Sequence, residues 1–217
     1  MNKFDIFGAS TGTISMLIEA MYSLHNKNFC AQIIRNVAPQ PGNPYKIEGI
    51  EIHQLDHSDW SHDPVKKLIP GMYMPKVKRI VFAFFKENYG IDYQHYSNLI
   101  HKDASIAQTA SLGYGCFINP NATLAPFCIL GNQVSVNRNA SIGHHSFIDD
   151  FCSINPGANI ASSCKIGKGV VIGMGVNIFD GVEIGAGTII GAGSLVTKDL
   201  PSNVKAFGSP ARVKSEL

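Results

Sequence analysis

From Ile106 to Val196 every sixth residue is Leu, Ile or Val, beginning Ile106, Leu112, Ile118, Leu124 and ending Ile178, Ile184, Ile190, Val196 without a missed beat. Two residues before each stands a small or compact side chain, from Ala104, Ala110, Cys116, Ala122 and Cys128 through to Val182, Thr188 and Ser194. A period of six is neither the 3.6 of a helix nor the alternation of a flat strand. It predicts a coiled parallel β-sheet with three short faces, one aliphatic residue per face pointing inward and a small one beside each corner. Hexapeptide repeats of this kind signal a β-helix; the segment predicts about five coils of 18 residues. Gly113, Gly131, Gly143, Gly167, Gly173, Gly185 and Gly191 each follow a periodic aliphatic residue, where a tight corner favours a residue without Cβ. A β-sandwich would place its turn signals more widely and less regularly.

The first 95 or so residues follow other rules. Phe4 to Phe7 predicts a short strand, followed by Gly8-Ala9-Ser10-Thr11-Gly12-Thr13. Ile14, Leu17, Ile18 and Met21 then carry the spacing of one buried helix face within Ile14 to Leu24. Phe29 to Ile34 predicts a second strand and Arg79 to Phe85 a later one, with loops at Pro39-Gln40-Pro41-Gly42-Asn43-Pro44 and around Asp56 to Pro64. The beginning is therefore a small α/β, Rossmann-like unit with a glycine loop between strand and helix. Such a loop can cradle phosphate on backbone N–H groups. Its spacing, Gly8-x-x-x-Gly12, is neither a full dinucleotide fingerprint nor a P-loop, and suits a tight structural turn equally well. Asn36, after the second strand, suits a ribose or uracil edge, or a turn. The expected divisions are residues 1–97 for the α/β domain, 98–200 for the coil and 201–217 for a tail.

A solenoid end is an open apolar cross-section that needs cover. The α/β domain is expected to cover the start of the coil. At the far end Asp199-Leu200-Pro201 stops the repeat, and the segment through Gly208-Ser209-Pro210-Ala211 is expected to fold over the last coil or against a neighbouring subunit.

Composition narrows the chemistry. With 45% apolar and 16% charged residues and a formal net charge of +2, the balance is that of a globular protein without a nucleic-acid signature. Lys66-Lys67 and Lys76-Val77-Lys78-Arg79 are short runs that suit a solvated face. No secretory segment or membrane-spanning run is visible, so a cytoplasmic protein without membrane insertion is expected. Cys116, Cys128, Cys152 and Cys164 all occupy the small inward position, where cysteine packs as a compact hydrophobe, and Cys30 stands alone. No close cysteine pair points to structural metal.

Several stretches carry a family resemblance: Ile6-Phe7-Gly8-Ala9-Ser10-Thr11-Gly12, Asn98-Leu99-Ile100-His101-Lys102-Asp103-Ala104, the uninterrupted coil, Ile160-Ala161-Ser162-Ser163-Cys164-Lys165-Ile166-Gly167, and the ending Gly191-Ala192-Gly193-Ser194-Leu195-Val196-Thr197-Lys198-Asp199-Leu200-Pro201. On these the chain resembles hexapeptide-repeat acyltransferases of the sialic-acid O-acetyltransferase and bacterial nucleotide-sugar N-acetyltransferase type. The resemblance implies a left-handed parallel β-helix and a homotrimer with acetyl-CoA in a groove between adjacent coils. It further implies an amino-terminal domain that holds a nucleotide-linked amino sugar for surface glycan synthesis. His144, in Asn139-Ala140-Ser141-Ile142-Gly143-His144-His145, matches the general base, and Asn137 matches a position that is Asn in the family pattern.

Two positions depart from that pattern. His145 stands where the family usually has an acidic residue that orients the base, and Ser153 stands where a second His is frequent. Asp149 or Asp150 is a candidate for the missing carboxylate. Gly8, Ala9, Ser10, Thr11, Gly12, Asn36 and His145 are the candidate substrate-binding residues. Ser153, Gly173, Met174, Gly191, Ala192 and Lys198 are the candidates for coenzyme contact, the small ones giving the pantetheine arm room and Lys198 facing a phosphate. His101 fits packing or capping at the domain junction.

Imidazole, with an ordinary pKa near 6.5, suits removal of a proton from an amine or a hydroxyl acceptor. A backbone N–H, for example from a coil glycine, is the expected oxyanion donor. O-acetylation of sialic acid or another sugar, and a nonenzymatic nucleotide-sugar-binding trimer, are the alternatives. A zinc hydrolase between subunits would need three histidines with two of them five apart, which the coil does not offer.

Overall fold

The structure, a computed structural model, describes residues 1–8, 11–36 and 48–217, with only the backbone of Thr11. Asn2–Phe7 (β1), Thr11–His25 (α1), Phe29–Arg35 (β2), Glu51–Asp56 (β3), Lys67–Pro70 (β4) and Pro75–Tyr89 (α2) build the amino-terminal domain. Its four parallel strands are ordered β3-β2-β1-β4. As expected from their spacing, Ile14, Leu17, Ile18 and Met21 of α1 are buried, packing with Phe4, Ile6, Ala31 and Ile33 on one face of the sheet. On the other face Phe7 stacks on Phe85 of α2 at 4.0 Å between ring centres. The expected loop at residues 39–44 lies outside the described residues.

The strand expected at Arg79 to Phe85 is a helix. Pro75, Lys78, Val81, Phe82 and Phe85 are its buried residues, a helical spacing hidden inside a run of apolar neighbours. Pro75 opens the helix, where a missing N–H costs nothing, and Gly90, left-handed at φ 67°, closes it by donating to the Lys86 carbonyl. The two lysine runs are not simply solvated faces either. Lys66 lies 3.3 Å from the buried carboxylate of Asp5, and Lys78 is 3% exposed.

The coil begins at Leu99–Ile100 (β5) and runs in two-residue strands to Leu195–Val196 (β21). Ser111, Ile129, Phe147, Lys165 and Glu183 stand one above another in register, so each turn takes 18 residues. The architecture is a left-handed parallel β-helix. The periodic aliphatic residues and the four coil cysteines form its continuous core. Burial pushes the Cys116 thiol up to about 11 and that of Cys152 to about 12, as expected of packing groups and not of nucleophiles.

Where glycine follows the aliphatic residue, the coils approach closely. A Cβ on Gly143 would sit 2.5 Å from the Ala161 carbonyl carbon in the next coil, and one on Gly173 2.6 Å from the Ala192 nitrogen. The left-handed position lies two residues further on, where Asn121, Asn139 and His145 have φ of 57°, 57° and 58° and Gly157, Gly169 and Gly175 serve elsewhere.

The α/β domain lies along the outer side of the first face and does not seal the open start. Phe117 joins the α1 core, Phe151 joins the α2 core, and Lys78 reaches Ser135. Ile106 and Leu112 of the first coil remain only partly buried. The far end is closed by a hairpin, Val204–Gly208 (β22) and Ala211–Glu216 (β23), whose first strand extends the first face beside Ile189–Ile190 (β20). Leu200, Ala206 and Ala211 enter the coil core there. No helix among the described residues is long and apolar enough to cross a membrane.

Candidate active site

Gly143-His144-His145-Ser146 makes the corner between Ser141–Ile142 (β12) and Phe147–Ile148 (β13). Its backbone is tied to both neighbouring coils. His145 N–H donates to the Pro126 carbonyl at 3.2 Å, and the His144 carbonyl accepts from Ser163 N–H at 2.9 Å. Ser146 points inward and donates to the Ala161 carbonyl at 2.8 Å. The two imidazoles stand exposed on this rigid bend, nearly perpendicular at 88°, with Nδ1 facing Nδ1 at 3.0 Å. His145 also stacks on Phe127 of the preceding coil, centroids 5.0 Å apart.

Asn137 occupies the corner before β12, so it and His144 flank the same strand at opposite edges of one face. One chain does not bring them into contact. Asn119 and Asn155 donate their amides to the Val136 and Ile172 carbonyls, as expected for a stacked column. Asn137 breaks the column. Tyr73 Oη donates to the corresponding Ile154 carbonyl at 3.2 Å and accepts from Asn137 Nδ2 at 3.4 Å. Burial pushes the Tyr73 hydroxyl up to about 12, which keeps its proton available for that bond.

The remaining coil candidates sort onto the same two edges. Lys198 lies on the edge of His144, in the shortened corner between Val196 and Leu200 that follows the corners of Ser162 and Asp180. Gly173-Met174 and Gly191-Ala192 continue the edge of Asn137, with Met174 and Ala192 exposed. Between the edges runs a polar ladder, Ser141 donating to Asn159 at 2.9 Å and Asn159 to Asn177 at 3.0 Å. Ser153 stands apart. It is fully buried and donates to the Tyr73 carbonyl at 2.8 Å, a junction contact that leaves its hydroxyl no path to a coenzyme within this chain.

Neither aspartate reaches His144. Asp150 sits at the third edge and accepts from Asn132 N–H at 2.7 Å, Asn132 Nδ2 at 3.0 Å and Tyr93 at 3.3 Å, with Lys168 Nζ at 3.4 Å. Asp149 accepts from Asp150 N–H at 2.7 Å.

In the α/β domain, Gly8 ends β1 at φ 101° and donates to the Ile34 carbonyl at 3.0 Å. A Cβ there would meet Met72 Sδ at 2.6 Å. The strand order turns back between β1 and β4, and parallel sheets bind ligands outside the carboxyl ends at such a point. Gly8 and Gly71 border that crevice, Gly71 donating to the Phe7 carbonyl at 2.7 Å. The first turn of α1 carries no acidic residue. Ala9 and Ser10 lie outside the described residues; Gly12 has open space around its Cα, and Asn36 is half-buried just past β2. Arg35, beside it, holds Nε and Nη1 buried without a hydrogen-bond partner among the described residues. Arg35 and Tyr73 have no periodic or motif signal, and only the folded chain places them here. Among the described residues no three His, Cys, Asp or Glu gather as a metal site.

Residues 163–198 match the family described as bacterial transferase hexapeptide (six repeats). No curated protein matches the chain. Among solved structures, the acetyltransferase domain of PglB from Neisseria gonorrhoeae FA1090 in complex with acetyl coenzyme A is 22% identical, with a TM-score of 0.82 over 99% of this chain and 100% of that one. The chain shares its fold. A point variant of perosamine N-acetyltransferase from Caulobacter crescentus, in complex with CoA and GDP-perosamine, is 21% identical with a TM-score of 0.79 over 100% of this chain and 98% of that one. WeeI from Acinetobacter baumannii AYE is 19% identical with a TM-score of 0.76 over 98% of this chain and 100% of that one.

Proposed function

We propose that the protein is an acetyl-CoA-dependent N-acetyltransferase acting on a nucleotide-linked amino sugar, working as a homotrimer with His144 as general base. The observation that carries this reading is the sorting of the coil candidates onto two edges of one face, within a fold shared end to end with acetyltransferases. If three prisms turn that face toward a common axis, each copy's His144 edge meets the next copy's Asn137 edge. His144 and Lys198 of one subunit then border the exposed Gly173-Met174 and Gly191-Ala192 edge of its neighbour. That edge has the small residues and open backbone that a long, thin pantetheine arm requires, so the residues present fit the coenzyme.

Bound acetyl-CoA supplies an activated acyl carbon and a thiolate leaving group. His144 Nε2 removes the acceptor nitrogen's proton as the new C–N bond forms and returns it to the departing sulfur. The rigid bend holds the imidazole in place, which is most of what such a transfer asks of a protein. The nucleotide lies at the β1/β4 crevice, where the amino end of α1, Arg35 and Asn36 offer N–H and guanidinium donors to its phosphates and ribose, while Gly8, its N–H donated to the Ile34 carbonyl, turns the chain from β1 toward α1.

The test is a thiol-release assay with acetyl-CoA and a panel of UDP-, GDP- and dTDP-linked 3-amino and 4-amino sugars, with free sialic acid included and His144→Ala run in parallel. Turnover on one amino sugar, lost by 100-fold or more in the variant, is the expected result, that being about the low end of a base contribution. Activity on sialic acid alone would replace the amine with a hydroxyl acceptor. No turnover together with no acetyl-CoA binding would sink the transferase reading.

A further inference from the structure

We infer that His145 is the positioning residue of the site: its Nδ1 accepts the Nδ1 proton of His144 and so fixes His144 in the tautomer whose Nε2 is free to act as base. The inference rests on the proposed role of His144. Two ring nitrogens 3.0 Å apart must share one proton, one donating and the other accepting. When His144 donates, its lone pair lies at Nε2 and faces outward from the bend. When His145 donates, Nε2 of His144 carries hydrogen and cannot take another proton. The task is one that a carboxylate would do elsewhere, but here the acceptor is neutral and itself titratable.

His145 is placed for that task by two things beyond the contact. Its left-handed backbone, φ 58°, turns the ring toward His144, and stacking on Phe127 holds the ring plane. The residues packed against the pair from the adjoining coils are Pro126 and Phe127 above and Ser162 and Ser163 below, and the charged group behind them is Asp180, which accepts from Ser162 N–H at 2.8 Å. The ion pairs that involve histidine among the described residues are at His53, His57 and His101. Among the described residues no carboxylate oxygen lies within 4.0 Å of a nitrogen of either ring: Asp149 and Asp150 are engaged at another edge, and Asp180, held by Ser162 N–H, stands one coil further down the column. During transfer the acceptor proton moves to His144 Nε2, the Nδ1 proton stays on His144 and remains donated to His145, and the Nε2 proton leaves with the thiolate.

Three substitutions isolate the acceptor from the turn. Asn Oδ1 stands where histidine has Nδ1, and Asn already fills the equivalent corner at Asn121 and Asn139. Gly fills it at Gly157, Gly169 and Gly175. His145→Gly thus keeps the bend and removes the acceptor; His145→Asn keeps both; His145→Asp makes the acceptor anionic. The expected kcat order is His145→Asn near wild type and His145→Gly at least 10-fold below both, with KM for acetyl-CoA unchanged. In His145→Asp the acid limb of the pH–rate profile moves to higher pH, because an adjacent anion favours the imidazolium. His145→Gly matching His145→Asn in kcat, or an unmoved acid limb in His145→Asp, would overturn the assignment. Loss of activity in His144→Ala with that result leaves the base in place and removes only the partner; full activity in His144→Ala removes the base reading itself.

Discussion

Replacing Lys78 with Met changes how the protein's stability responds to alkaline pH, by an amount set by one buried amine. Lys78 Nζ donates to the Gln133 carbonyl and to Ser135 Oγ, both at 2.7 Å, across the junction of the two domains. Burial is the main cause that pulls its pKa from 10.5 down to about 8, with the Cys116 and Cys152 thiols acting the other way. Between those values the unfolded chain holds a proton that the folded chain has released. Stability therefore rises with pH across that window, by at most about 1.4 kcal/mol per unit and about 3 kcal/mol in all. The thiols of Cys116 and Cys152, raised by burial, act oppositely above about 9, where the unfolded chain has lost protons the folded chain keeps. Losing the Lys78 charge in Lys78→Met only raises their pKa further, and at pH 9.5 or below both stay protonated in either folded protein, so their contribution nearly cancels in the difference. Urea unfolding of wild type and Lys78→Met at pH 7, 8, 9 and 9.5, in reducing buffer, reads that difference directly. It should be flat up to pH 8 and then grow in favour of wild type by roughly 1.5–2 kcal/mol at pH 9.5. A difference that stays constant from pH 7 to 9.5 refutes the buried, proton-releasing lysine.

Gly143→Ala forces a Cβ against the Ala161 carbonyl carbon and should cost about 1–3 kcal/mol, seen as a lower Tm, while displacing the His144 bend enough to reduce kcat. Tyr73→Phe deletes the donor to the Ile154 carbonyl and should cost about 1 kcal/mol in chemical denaturation. Its larger stability partner is Ser153, whose bond to the Tyr73 carbonyl survives in Tyr73→Phe and is lost in Ser153→Ala; combining the two should be non-additive. Asp150→Ala strips the acceptor shared by Asn132, Tyr93 and Lys168 and should destabilise by about 3 kcal/mol without altering the acid limb of the pH–rate profile, which separates this carboxylate from the histidine pair.

The coil was fully legible because its signal repeats. Each inward aliphatic residue is confirmed by the next one 18 residues on, and an error in one place is corrected by its neighbours in the stack. The α1 face was legible for the same kind of reason, four apolar residues at helical spacing. Residues 79–85 were misleading because Ile80-Val81-Phe82-Ala83-Phe84-Phe85 is apolar at every position, so period carries no information there. The helix is settled by Pro75 and Gly90 at its ends and by which residues meet the sheet. The lysine runs misled similarly: Lys78 looks like surface until a carbonyl and a hydroxyl from a segment more than fifty residues away are folded onto it.

For the site, the chain alone determined the corner that carries His144 and the columns to which Asn137, Gly173, Gly191 and Lys198 belong, since stacking in a regular coil is arithmetic on residue number. Tertiary structure decided what each side chain does there. It showed Ser153 committed to Tyr73, both aspartates engaged at another edge, and His144 and Asn137 separated by a strand's width within one chain. It also set His145 Nδ1 against His144 Nδ1. The physical reason is range. Periodicity records which residues face inward, a property each coil repeats, whereas hydrogen-bond partners depend on single approaches between segments distant in sequence and leave no periodic trace.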